Sequence, residues 1–239
     1  MGKQLSGQVA VVTGGSRGIG LAITEKLLEQ DLSVMICSRE QFSVQKALDA
    51  LNQSFPGRVE GMVTDVRHYE RVERLMATTC DRFGGIDILV NNAGIGLFAS
   101  VDQMTPEEWD AVIGTNLSGT FYCVHAAVPY MKHRKRGTII NISSLAGKNT
   151  FPGGAAYNAS KFGLNGFSEA VMQDLRYENI RTSYIMPGSV NTNFGGGDKE
   201  ATWKTSAGDV AQIVLDLLQS DPRSMISRVE IRPSQPPRK

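Results

Sequence analysis

The chain has 239 residues, with 25 Lys and Arg against 24 Asp and Glu and a formal net charge of +1. Hydrophobic residues make up 41% and charged residues 21%, so the chain can bury a core and is not of the disordered class. The balance of charge argues against a nucleic-acid partner, and no stretch approaches the roughly 18 apolar residues of a membrane span.

Short apolar runs alternate with amphipathic segments. Val9–Thr13 reads as a buried strand and Ile19–Gln30 as a helix. Ser33–Cys37, Val59–Thr64 and Ile86–Val90 are the next strands, with helices over Phe42–Leu51 and His68–Phe83 between them. Pro106 suits the first turn of a long helix running to about Lys132. A strand over Thr138–Ile142, a helix over Tyr157–Arg176 and a strand over Arg181–Ile185 follow. Ala207–Leu218 is helical and Met225–Ile231 is a seventh strand. Strands alternating with helices of this length imply parallel βαβ units, and strands apolar at successive positions imply a sheet covered on both faces. The fold class is therefore α/β: a Rossmann-type, doubly wound parallel sheet of about seven strands. No linker or repeat divides the chain, so residues 1–239 are expected to form a single dinucleotide-binding and catalytic domain with a loose, proline-containing tail over 233–239. The basic run Lys132–Arg136 reads as a solvated helix end.

Met1–Leu5 carries no apolar run of signal-peptide length, and Cys37, Cys80 and Cys123 are far apart with no CxxC pair. Buried free thiols in a reducing cytoplasm are the expectation, with no metal site.

The 25 glycines are the unusual count. Several fall in Thr13-Gly14-Gly15-Ser16-Arg17-Gly18-Ile19-Gly20, directly after the first strand and at the start of a helix. Glycine lets the backbone turn tightly and approach a ligand, and the amides of a helix N-terminus favour a pyrophosphate. No Gly-Lys-Ser/Thr follows, so a P-loop lacks its lysine and hydroxyl. After the second strand stand Ser38, Arg39 and Glu40. Arg39 and Arg17 suit a 2′-phosphate, whereas Glu40 suits the ribose hydroxyls; the pair of arginines favours NADP(H) over NAD(H).

Tyr157 and Lys161 are four apart at the start of a helix and so share a face. Ser143 and Ser144 lie at the C-terminal end of the fifth strand, the edge where open α/β sheets bind ligands. A phenol has a pKa near 10, and a neighbouring ammonium favours its ionised form. A serine hydroxyl can hydrogen-bond a carbonyl oxygen on which charge develops.

Taken in order, these motifs resemble the short-chain dehydrogenase/reductase family from Leu5 to about Val190. Gly14, Ser16, Gly18, Ile19 and Gly20 match its cofactor loop, and Asp65-Val66 is similar to the pair that holds the adenine. Asn91-Asn92-Ala93-Gly94 looks like the family's segment after the fourth strand. Asn116, Ser144, Tyr157 and Lys161 match its catalytic tetrad, and Pro187-Gly188 with Val190 and Thr192 matches the stretch beside the nicotinamide.

The resemblance implies an NADP-dependent oxidoreductase exchanging a hydride with a small-molecule carbonyl or secondary alcohol. Tyr157 is then the general acid or base, Lys161 holds the nicotinamide ribose and lowers the Tyr157 pKa, and Ser144 orients the carbonyl. Asn116 holds a water that relays protons from Lys161, and Ser143 faces away. The family also implies a homodimer or homotetramer through the two helices that carry Phe121, Val124, Phe162 and Phe167.

Two features depart from the pattern. Gly195-Gly196-Gly197 disfavours a stable helix in the substrate lid, and the ending Ser227–Pro233 lacks the glycine-rich turn of many β-ketoacyl reductases. It looks more like the broad-specificity carbonyl reductases and 3-hydroxy-acid dehydrogenases, which leaves these and the β-ketoacyl reductases as alternatives. Phe98, Leu145, Phe151 and Phe194 are expected at the substrate pocket. A non-catalytic dinucleotide-binding sensor on the same fold is the rival reading.

Overall fold

Every residue of the first strand, Val9–Thr13, is buried, and its side chains alternate between two cores. Ala10 and Val12 face one cluster and Val11 the other, as the two-residue period of a strand requires. The computed structural model describes residues 5–192, 194 and 201–237. The Gly195–Gly197 lid, Asn193, Met1–Gln4, and Arg238 and Lys239 of the tail lie outside these described residues.

Among the described residues, seven strands form one parallel sheet: β1 (Val9–Thr13), β2 (Ser33–Ser38), β3 (Val59–Val63), β4 (Ile88–Asn91), β5 (Gly137–Ile142), β6 (Ile180–Pro187) and β7 (Arg228–Ile231), in the order β3-β2-β1-β4-β5-β6-β7. Helices α1 (Gly18–Leu28), α2 (Gln41–Ser54) and α7 (Ala207–Gln219) bury Leu27, Leu51 and Val214 on one face. On the other lie α3 (Tyr69–Phe83), α5 (Gly119–His133) and α6 (Ala155–Leu175), which bury Leu75, Ala127 and Val171. β1 lies between β2 and β4, where the winding direction reverses, so a crevice opens beyond the C-terminal ends of these strands. The expected doubly wound fold is the observed one. Among the described residues no helix is long and apolar enough to cross a membrane.

The helix expected from Pro106 to Lys132 is interrupted. It begins as α4 (Pro106–Ile113), whose start is fixed by Pro106 and by the reciprocal bonds of Thr105 and Glu108. Residues Gly114–Ser118 form a π-turn, closed by a bond from the Gly119 amide to the Gly114 carbonyl, before α5 resumes the α-helical winding. Asn116, in that turn, is tied to Ile95 and to Ser160 of α6, and Gly119 lies so close to Val66 that a Cβ there would stand 2.7 Å from Val66 Cγ2. These partners are remote in sequence, so the local apolar period does not encode the turn.

The basic run is more than a solvated end. Arg134 Nε and Arg136 Nε converge on Asp87 Oδ1 at 3.1 and 2.7 Å, while Asp87 Oδ2 accepts from the Val9 amide at 2.9 Å. Asp87 is 2% exposed, so its charge depends on those partners. It ties the end of α5 to the start of β1 and β4. Asp87→Ala leaves the Val9 amide unpaired and is expected to cost about 1–3 kcal/mol, read as a lowered urea midpoint. Lys132→Ala, which breaks an exposed pair with Glu178, is expected to cost at most about 1 kcal/mol in the same assay.

Candidate active site

The chain turns from β1 into α1 through residues 14–17, with Gly14 at φ +64° and Gly18 at φ +56°, conformations that glycine adopts without a Cβ penalty. A Cβ on Gly14 would stand 2.9 Å from Asn92 Nδ2 and 3.1 Å from Ala93 Cα. At the N-terminus of α1 the capping residue, Arg17, makes no side-chain cap bond, so no side chain of its own covers the first-turn amides. This concave run of amides at a helix N-terminus fits a pyrophosphate. Gly20 has a different part: a Cβ there would lie 2.2 Å from the Gly14 carbonyl oxygen, so this glycine lets the helix approach the turn.

The loop opens onto a cleft of about 620 Å3. Gly14, Ser16, Arg17, Gly18 and Ile19 line one part of it, with Ser38 and Arg39 after β2 and Val66 after β3. Asn92, Ala93 and Gly94 follow β4, Ser144, Tyr157 and Lys161 follow β5, and Pro187, Gly188, Val190 and Thr192 come from the end of β6 and the chain after it. Gly20, Asp65 and Asn116, expected at the site, do not line the cleft. The Asp65 carboxylate is gripped by Arg67, with Nη2 at 2.6 Å. Burial pushes its pKa up, but the Arg67 bonds outweigh that and hold it below the ordinary carboxylate value. Thr64 and Thr115 also line the cleft, and their buried hydroxyls have no protein partner.

α6 supplies the reacting side chains. Tyr157 and Lys161 are buried on its inner face, and the Lys161 ammonium lies 5.8 Å from the Tyr157 ring centroid. Lys161 Nζ donates to the Ile142 carbonyl at 2.9 Å. Burial lowers the Lys161 pKa from 10.5 to about 8. Burial also raises the Tyr157 pKa, against a smaller lowering by its hydrogen bond with Ser144. The expected depression of Tyr157 is therefore absent in the chain alone, because desolvation of the phenolate outweighs that hydrogen bond. The Asn116 amide is occupied: its Oδ1 accepts from the Ile95 amide at 2.8 Å, and its Nδ2 donates to the Ile95 carbonyl and to Ser160 Oγ. Ser160 in turn donates to the Tyr157 carbonyl at 2.8 Å.

Two asparagines of α6 were not singled out from the sequence, yet they hold the Ser144 segment. Asn165 Oδ1 accepts from Ser143 Oγ at 2.5 Å, and its Nδ2 donates to the Gly147 carbonyl at 3.0 Å. Asn158 Nδ2 donates to the Ala146 and Asn149 carbonyls at 2.6 and 3.0 Å. Their spacing from Tyr157 and Lys161 on one helix is the only signal the sequence offers. Ser143 turns its hydroxyl toward Asn165, which leaves Ser144 beside Tyr157. Of the four expected pocket residues, Phe194 lines the cleft and lies tilted against the Tyr157 ring; Phe98 meets that ring edge-on, Phe151 meets Phe98 edge-on, and Leu145 packs against Gly188. Lys204, which also lines the cleft, belongs to none of the motifs and follows Thr192, the last of their residues.

Comparison with known proteins gives a consistent result. Residues 8–202 match a family model described as short chain dehydrogenase. An uncharacterized oxidoreductase of Staphylococcus saprophyticus is 33% identical over 231 residues, 96% of this chain and 99% of that protein. A 3alpha-hydroxysteroid dehydrogenase of Mediterraneibacter gnavus is 34% identical over 201 residues, 84% of this chain and 80% of that one. A metagenomic short-chain oxidoreductase solved in complex with NADP superposes with a TM-score of 0.86 at 37% identity, covering 98% of this chain and 100% of that chain.

The buried ammonium has a consequence for stability. The unfolded chain keeps the Lys161 proton to near 10.5, while the folded chain releases it near 8. Between these values the unfolded state binds more protons, so the Lys161 contribution makes folding more favourable as pH rises. The difference in urea midpoint between the wild type and Lys161→Met is expected to move in the wild type's favour from pH 7.5 to 9.5.

Proposed function

The chain belongs to the short-chain dehydrogenase family of oxidoreductases, and on that premise we propose an NADP(H)-dependent enzyme that exchanges a hydride with a carbonyl or secondary alcohol, Tyr157 serving as general acid or base. The observation that carries this reading is the convergence of Ser144, Tyr157 and Lys161 on the cleft that the glycine loop opens into. A non-catalytic sensor has no need of a buried phenol, hydroxyl and ammonium on that wall.

A bound nicotinamide supplies or accepts the hydride and, when oxidised, adds a positive charge that favours the phenolate. The chain's own groups do the rest. Ser144, hydrogen-bonded with Tyr157, orients the carbonyl oxygen between the two hydroxyls. Tyr157 delivers its phenolic proton to that oxygen in reduction and takes it back in oxidation. Lys161 holds its ammonium beside the ring and has donors left for ribose hydroxyls, since one goes to Ile142. Asn116 fixes the turn of backbone at Ile95 and, through Ser160, the first turn of the helix that carries Tyr157. A water held near it would link Lys161 to solvent.

NADP(H) is preferred over NAD(H) in this reading. Arg17 and Arg39 both line the cleft, where guanidinium groups match a 2′-phosphate. Glu40, the competing acceptor for ribose hydroxyls, accepts a hydrogen bond from Ser43 Oγ at 2.9 Å. The similar metagenomic enzyme was solved with NADP, in line with a nicotinamide dinucleotide as the cofactor. Assembly as a homodimer or homotetramer belongs to the proposal too: Phe121 of α5 and Phe162 of α6 are 46% and 45% exposed, while Val124 is buried in the core.

With NADPH and a panel of carbonyls, Tyr157→Phe is expected to lower kcat by about 100-fold or more while NADPH still binds, measured by nicotinamide fluorescence. Turnover unchanged in that variant would remove Tyr157 from the chemistry. Arg39→Asp is expected to reduce the NADPH/NADH ratio of kcat/KM by about tenfold or more, the loss of one charge-assisted phosphate contact. An unchanged ratio would remove Arg39 from cofactor selection.

A further inference from the structure

We propose that the substrate is an uncharged ketone, or the matching secondary alcohol, carried on a flat apolar ring system that stacks against a wall formed by Phe98, Phe151 and Phe194. This deepens the hydride-transfer reading and rests on it.

The three rings come from three separate segments, after β4, before α6 and after β6. Phe98 meets the Tyr157 ring at 5.6 Å and 77°, and the Phe151 ring at 5.7 Å and 61°. Phe194 meets Tyr157 at 5.7 Å and 49°. Phe98 and Phe194 also crowd the backbone between them: a Cβ on Gly96 would lie 2.7 Å from Phe98 Cζ and 3.0 Å from Phe194 Cε1. Yet Phe98, Phe151 and Phe194 remain 47%, 41% and 45% exposed. A single half-exposed phenylalanine is ordinary. Here Phe98 and Phe194 both meet one buried phenol and Phe151 extends the surface from Phe98, an apolar face of the kind that marks a ligand site.

Much of this wall is built in advance. The Ala99 amide donates to the Gly153 carbonyl at 3.0 Å and Ala99 bridges to Gly154, which joins the Phe98 segment to the Phe151 segment. Asn158 fixes the far side by donating to the Asn149 carbonyl and accepting from the Phe151 amide. A ring inserted here meets aromatic faces and edges in the offset and perpendicular arrangements that aromatic pairs favour.

Two of the three segments of this wall offer little to an anion. Residues 92–101 and 149–160 contain no Asp, Glu, Lys or Arg. Lys148, the cation of the segment between Ser144 and Phe151, is paired with Glu230 at 2.9 Å. A carboxylate placed between Phe98 and Phe151 would lose its water without gaining a charged partner from either of those segments.

The test compares four carbonyls with NADPH: acetophenone, 2-decalone, propanal and acetoacetate. The two ring ketones are expected to exceed acetoacetate in kcat/KM by about tenfold or more. Phe98→Ala and Phe151→Ala are expected to lower kcat/KM for the ring ketones about tenfold further than for propanal, with the loss mainly in KM. A preference for acetoacetate, or an equal loss on all four carbonyls, would overturn the proposal while leaving hydride transfer intact. No turnover of any carbonyl, with NADPH bound, would overturn the hydride-transfer reading itself. Binding of 1-phenylethanol by calorimetry reads the wall without catalysis: weaker binding by Phe98→Ala supports it, and unchanged binding refutes it.

Discussion

The whole site hangs on the joint between the ends of β1 and β4. Thr13 Oγ1 accepts from the Asn92 and Ala93 amides, each at 3.0 Å, and Asn92 Nδ2 donates back to the Thr13 and Gly14 carbonyls at 3.0 and 3.1 Å. Four hydrogen bonds thus lock the two strands together where the winding direction of the sheet reverses. Gly14 and Gly20 are small because Asn92 occupies the space a Cβ would take at either position. The concave turn, the start of α1 and the mouth of the cleft all take their placement from this contact. A looser joint would leave the amides of the turn without a common aim.

The second organising element is α6, which acts as a template for one wall. Tyr157 and Lys161 face the cleft, Ser160 reaches Asn116, Asn158 and Asn165 hold the Ser144 segment, and Ser168 accepts from Asn141 in β5. A hydrogen-bonded helix with its polar face turned inward is costly unless each group finds a partner. Here nearly all of them do, so the spacing between phenol, ammonium and serine hydroxyl is set by the backbone of one rigid element and the strand end beside it.

Much of this was legible in the sequence because it is local. The alternation of apolar runs and amphipathic segments carried the sheet, and the order of Gly14, Gly18, Asn92, Tyr157 and Lys161 carried the site. What was illegible depends on contacts across the fold. Asp87 and its arginines are some fifty residues apart, Asn165 and Ser143 are 22 apart, and the π-turn answers to Ile95, Val66 and Ser160. The Tyr157 pKa in the chain alone is a related case. Residue spacing shows that a lysine is near, but not how deeply the phenol is buried, and burial dominates.

The π-turn at Gly114–Ser118 also limits how this chain can change in length. A residue adds about 100° of rotation to an α-helix, and a π-turn accommodates one extra residue without passing that rotation on to the next turn. Removing a single residue between α4 and α5 would give an unbroken helix with a normal pattern. The halves on either side would keep their facing, Val112 on one and Cys123 and Ala127 on the other, and the loss would fall on the turn itself, where Asn116 reaches Ile95 and Ser160. The extra residue thus serves the placement of Asn116 and not the continuity of the helix, which would survive without it.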